Sequence, residues 1–140
     1  MKAKMRRNNQ GGSSAIEFAI VLPLLVVLLF GIVEFSILFY DKAMITNASR
    51  EGARAGIVYS DPRPTDGDIA GVVTAYCGSN LITFGSGTVN TIVSRGGSGV
   101  SGDPLSVTVG YQYDFLVLPN FVSALAGGIN LTAQTVMRLE

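Results

Sequence analysis

The sequence predicts an α+β protein: a long N-terminal apolar helix that crosses a membrane and continues into a small external domain, with a three- to four-stranded antiparallel sheet and a short second helix. Three observations predict it. The run Phe18–Val33 carries no charge, and apolar character resumes beyond Glu34 with Phe35, Ile37, Leu38, Phe39 and Tyr40. A proline-free stretch, 41–57, extends that run with helical character. Period-two alternation then appears in three places after residue 87, as half-buried strands require.

The apolar segment comes first. As a helix, Ile16–Tyr40 measures about 37 Å at ~1.5 Å per residue, enough to span a ~30 Å hydrocarbon core with some tilt. Each Leu, Ile, Phe or Val favours insertion by roughly 0.3–0.6 kcal/mol, whereas a central charge opposes it by about 2.5–3.5 kcal/mol. Glu17 and Glu34 stand toward the ends of the segment, where that cost is smaller. A buried core helix is the alternative, but core helices are rarely apolar all round over such a length. The membrane part is therefore expected at about 16–40, within a helix over 13–57.

Lys2, Lys4, Arg6 and Arg7 precede the segment and form a basic leader over 1–12, with no acidic residue before Glu17. The positive-inside rule puts this end in the cytoplasm and the domain over 58–140 outside. No small-residue site of the Ala-x-Ala kind closes the apolar run, so the segment is expected to stay in the protein.

Ten basic and ten acidic residues balance over the whole chain, but a cut after Gly12 leaves six positive and ten negative, a net charge of −4. That is no footprint for nucleic acid. The chain contains no histidine, which removes Ser-His-Asp and Cys-His catalysis and the commonest metal ligand. The acidic residues are scattered, and Cys77 is the one cysteine. No cofactor, metal or small-molecule substrate is expected, and the chain does not read as an enzyme.

Along residues 41–57, Ala48, Gly52 and Gly56 recur every four residues, with Ser49 and Ala53 beside them. Such a stripe lets another backbone approach closely. Two readings are open: packing on this chain's own sheet, or contact with another subunit. Pro23 removes an amide from the helix, which either kinks the segment or is simply tolerated there. Glu34 stands either near the outer interface or against a partner's basic group.

Asp61-Pro62-Arg63-Pro64 breaks the helix by Tyr59. Thr65 is the expected N-cap of the second helix, with Asp66 and Asp68 in its first turn, Ile69, Val72, Val73 and Tyr76 on one face, and Gly78 as the stop. Strands are expected over 88–94, 105–113 and 131–139. The middle one is the cleanest, with Leu105, Val107, Val109, Tyr111 and Tyr113 on one side. A glycine-rich hairpin loop, 96–104, joins the first two, and an apolar connection, 115–128, with a short helix after Pro119, precedes the last. Gly97 to Gly102 fits G-x-G-x-x-G, but a strand follows it, so no helix N-terminus is offered to a pyrophosphate. The sequons at Asn47 and Asn130 lie in a helix and at a strand start, and carry no weight.

A carboxylate beside hydrocarbon is expensive and marks a functional site by default. Glu17 is that carboxylate, five residues after Gly12. Gly12-Ser13-Ser14-Ala15-Ile16-Glu17-Phe18 resembles the class III prepilin signal, in which a prepilin peptidase cuts after the glycine and a glutamate is the fifth residue of the mature chain. The stretch from Ala15 through Gly56 resembles the TadE-like pseudopilins of Tad (Flp-type) pilus systems. Glu17-Phe18, Leu22-Pro23-Leu24, Gly31, Glu34-Phe35 and Glu51-Gly52-Ala53-Arg54 carry the likeness, with a weaker one at Val136–Glu140.

The resemblance implies a prokaryotic inner-membrane protein with a processing site at Gly12, Ser13 and Glu17. It implies assembly or helix-packing roles for Glu17, Pro23, Glu34, Ala48, Gly52, Ala53 and Gly56. The implied partners are the lipid bilayer, the prepilin peptidase, other pilins and pilus-assembly membrane proteins. An uncleaved single-pass envelope scaffold of a secretion system is the alternative role.

Overall fold

The computed structural model describes residues 10–82, 87–115 and 128–140. The basic residues of the leader and the connection between Phe115 and Gly128, with its expected short helix after Pro119, lie outside those residues. One helix dominates. α1 (Gln10–Ile57) comprises 48 residues, a rod of about 72 Å at ~1.5 Å per residue. It begins before Ser13, the expected start, and continues unbroken through Pro23.

Its environment changes along its length. From Gly12 to Phe30 every residue is exposed; from Gly31 onward one side turns inward, with Glu34, Asp41, Ile45, Ala48, Ser49, Gly52, Ala53 and Gly56 buried. This apolar window is long enough to cross a membrane, and none of it is buried by the other described residues.

α2 (Asp66–Asn80) starts on a capping box. The Thr65 amide donates to Asp68 Oδ2 at 2.8 Å, and the Asp68 amide donates to Thr65 Oγ1 at 3.2 Å. The two bonds satisfy amides that a helix start otherwise leaves open. The Thr65 hydroxyl, which donates to Asp68 Oδ2 at 2.7 Å, and then the Thr65 amide hold the Asp68 carboxyl below its ordinary range. The helix runs two residues past the expected stop at Gly78. Ile69, Val73 and Cys77 form its buried face.

The sheet has three strands in the order β1 (Val89–Arg95), β2 (Pro104–Tyr113), β3 (Ile129–Arg138). Both pairings are antiparallel, with Val93 opposite Val107 and Val107 opposite Thr135. Leu105, Val107, Val109, Tyr111 and Tyr113 of the central strand are buried, as are Leu131 and Ala133 of β3. Both helices cover this one face, and alternate residues such as Gln112, Thr132 and Gln134 point to the exposed side. The β1–β2 connection is a defined hairpin loop. Gly97, Gly99 and Gly102 take positive φ of 80°, 77° and 92°, which other residues adopt at a cost. The Asp103 carboxylate accepts the Val100 amide at 3.1 Å, and the Gly102 amide reaches the Leu139 carbonyl at 2.8 Å.

The strands climb the helix in step with its sequence. Tyr113 meets Glu34, the Lys42 ammonium meets the Thr132 carbonyl, Ser49 meets Thr135, and the Glu140 amide donates to the Ile57 carbonyl. The described residues of the domain therefore grip the second half of α1 and leave the first half bare.

Candidate functional site: the N-terminal helix

The bare half of α1 carries Gly12, Ser13, Glu17 and Pro23, four of the residues that the sequence marks for processing or assembly. Glu17 is exposed, and Ser13 Oγ donates to its Oε1 at 3.3 Å. Serine and glutamate four residues apart lie on one helix face, so the sequence spacing dictates this contact. Space around Gly12 is open, with nothing within 4 Å of where a Cβ would stand. Pro23 is exposed on the same apolar stretch.

Glu34 turns toward this chain's own sheet. It is 1% exposed, and Tyr113 Oη donates to its Oε1 at 2.5 Å. The partner is thus this chain's own sheet, where a partner subunit's basic group was one of the two expectations. Burial, then the Glu34 carboxylate, push the Tyr113 phenol well above its ordinary range. Phe115 packs edge-on against the Tyr113 ring, 6.0 Å between centroids.

The small-residue stripe faces inward. A Cβ on Gly52 would stand 2.5 Å from Val73 Cγ2 and 3.4 Å from Val107 Cγ1; one on Gly56 would stand 2.5 Å from Leu105 Cδ2 and 2.6 Å from Ile69 Cδ1. Ala48 and Ala53 are fully buried in the same core, and Ser49 Oγ lies 2.7 Å from Thr135 Oγ1. The stripe seats α1 on α2 and the sheet. Glu51 and Arg54 stay outside, in a two-pronged ion pair of 2.7 and 3.1 Å. It holds the exposed Glu51 carboxyl below its ordinary range.

Two residues of this region were not legible as important. Tyr113 read only as the last inward residue of a strand, and Asp41 carried no expected role. Asp41 is fully buried; its Oδ1 accepts the Ile82 amide at 3.0 Å, and its Oδ2 has no hydrogen-bond partner among the described residues. An aspartate immediately after an apolar run was the available signal.

The arrangement offers helix-to-helix and helix-to-lipid contact. Among the described residues, no group of three or more His, Cys, Asp or Glu side chains is placed to hold a metal ion. Residues 12–54 match the family model of the TadE-like protein family. No curated protein and no solved structure matches the chain. The matched residues span the exposed, membrane-compatible half of α1 and most of the stripe that seats the domain. Over residues 12–54 the chain is therefore similar to TadE-like proteins.

Proposed function

We propose that this is a pseudopilin-like structural protein that takes part in assembling a Tad/Flp-type adhesive pilus or its secretion apparatus. It is anchored by a single pass in the cytoplasmic membrane, N-terminus inside and sheet domain outside, and a prepilin peptidase cuts it between Gly12 and Ser13. The observation that carries this reading is the TadE-like match over a helix whose first half no other described residue covers. Helix faces of this kind are covered by lipid, by neighbouring pilin helices, or by both in turn.

Processing would leave an α-amine on Ser13, about one helical turn before Glu17. A cation there offsets the cost of keeping the carboxylate beside hydrocarbon, either within one chain or from a neighbouring subunit during assembly. Gly12 follows Gly11 at the start of α1, and glycine disfavours helix by roughly 1 kcal/mol each. This end can open at low cost to present the bond to a peptidase. Left uncut, the same helix would serve the second reading, an uncleaved single-pass envelope scaffold.

Mass spectrometry of the protein purified from membranes separates the two: Ser13 at the mature N-terminus supports processing, Met1 the scaffold. Gly12→Leu should leave the precursor uncut on a gel. Glu17→Ala should insert normally but reduce piliation at least tenfold, and unchanged piliation would remove Glu17 from the assembly step.

A further inference from the structure

Among the described residues, the end of the sheet nearest the bare half of α1 exposes polar side chains, and its height along α1 is fixed. Tyr113 touches Glu34, and beside Tyr113 stand Gln112, Asp114 and Asn130, all exposed. Immersing that end in hydrocarbon would bury amides and a carboxylate together, at several kcal/mol. The hydrocarbon must therefore stop at or below the level of Glu34. Ser13 to Val33 measures about 31 Å at ~1.5 Å per residue, one hydrocarbon thickness of ~30 Å.

The apolar surface does not stop there. On the side of α1 away from the sheet, Phe35, Phe39 and Tyr40 remain 57%, 67% and 41% exposed. They rise about 2–9 Å above Glu34, and a headgroup layer is roughly 5–8 Å deep on each side of the bilayer. Aromatic rings favour that layer. The aromatic patch is also continuous below with Leu28 and Ile32, both exposed on the bare span.

We infer that the bilayer interface on the domain side lies at Glu34, where Phe35, Phe39 and Tyr40 form an aromatic anchor in the headgroup layer and the polar end of the sheet stands on the membrane. This moves the end of the hydrocarbon span from the expected Tyr40 to about Val33. The inference rests on the membrane-spanning reading of α1.

The chain has no tryptophan, so one introduced residue reports alone. Val26→Trp, Phe35→Trp and Phe39→Trp, each in the full chain, would be reconstituted in phosphatidylcholine vesicles carrying bromine near the headgroup or deep in the acyl chain. Tryptophan at 26 should be quenched best by the deep bromine. At 35 and 39, the shallow bromine should quench at least twofold more than the deep one. Best quenching by deep bromine at 39 would overturn the placement and restore a span to Tyr40. At 39, quenching only by aqueous acrylamide would put the patch in water. Protection from both lipid and acrylamide would put it against a second protein chain. Tryptophan at 26 that neither bromolipid quenches would instead sink the membrane reading itself.

Discussion

At the scale of single residues, the buried carboxylates decide how the domain holds its helix. Asp41 has one oxygen on the Ile82 amide and another that meets no donor among the described residues, and its surroundings include the Tyr111 and Tyr113 phenols. Burial raises its pKa above the ordinary value, more than the Ile82 amide lowers it. A carboxyl that binds its proton more tightly folded than unfolded stabilises the fold at low pH. The contribution is fully present below about 3.9, the unfolded value, and is lost as pH rises through the folded value. Asp41→Asn keeps the acceptor for Ile82 and removes the ionisation. It should raise the melting temperature at pH 7 by a few degrees and flatten the fall in stability above pH 4. A lower melting temperature at pH 7 would mean that the charge is needed. Neither Glu34 nor Asp41 could be understood from sequence, because their partners are remote: Tyr113 lies 79 positions from Glu34, and Ile82 lies 41 from Asp41.

At the scale of elements, glycine has opposite meanings in the two helices. Gly52 is buried where a Cβ would meet Val73 Cγ2 at 2.5 Å, and valine is stiff about χ1 and yields poorly. Gly71, inside α2, has nothing within 4 Å. Gly52→Ala should therefore gain about 1 kcal/mol of helix propensity but lose roughly 1–3 kcal/mol to overpacking, and melt lower. Gly71→Ala should stabilise by about 0.5–1 kcal/mol. Paired thermal melts by circular dichroism would check both signs. The four-residue spacing of Ala48, Gly52 and Gly56 was readable as a close-approach stripe, because helix geometry dictates it. Its partner was not, because small residues serve a sheet, a second helix or a second subunit equally well. The strands were legible to within a residue or two, since period-two alternation survives wherever one face is buried. The second helix overran Gly78 because the Leu81 amide still closes onto the Cys77 carbonyl, at 2.9 Å.

At the scale of the molecule, α1 belongs to two bodies at once, and the border between them is sharper than hydropathy suggests. The apolar character of residues 18–40 is nearly uniform, yet the structure divides it near Gly31, where burial by the sheet begins. Periodicity could not locate that border, since the face toward lipid and the face toward a protein core are both apolar. The domain should therefore be separable only if its share of the helix goes with it. A fragment of residues 31–140 retains the Glu34–Tyr113 bond, the Asp41–Ile82 bond, and the half-buried Ile37 and Leu38. A fragment of residues 43–140 loses all four. The bond to a charged group alone contributes about 1.5–3 kcal/mol, and each kcal/mol moves the midpoint of a domain this size by roughly 4–8 °C. The longer fragment should unfold cooperatively, at least about 10 °C above the shorter one, which is expected to be molten or unfolded. Phe35→Ser with Phe39→Ser in the longer fragment should leave its midpoint within a few degrees, because both rings point away from the sheet. Equal melting of the two fragments would show that the turns from Glu34 to Asp41 serve the membrane rather than the fold.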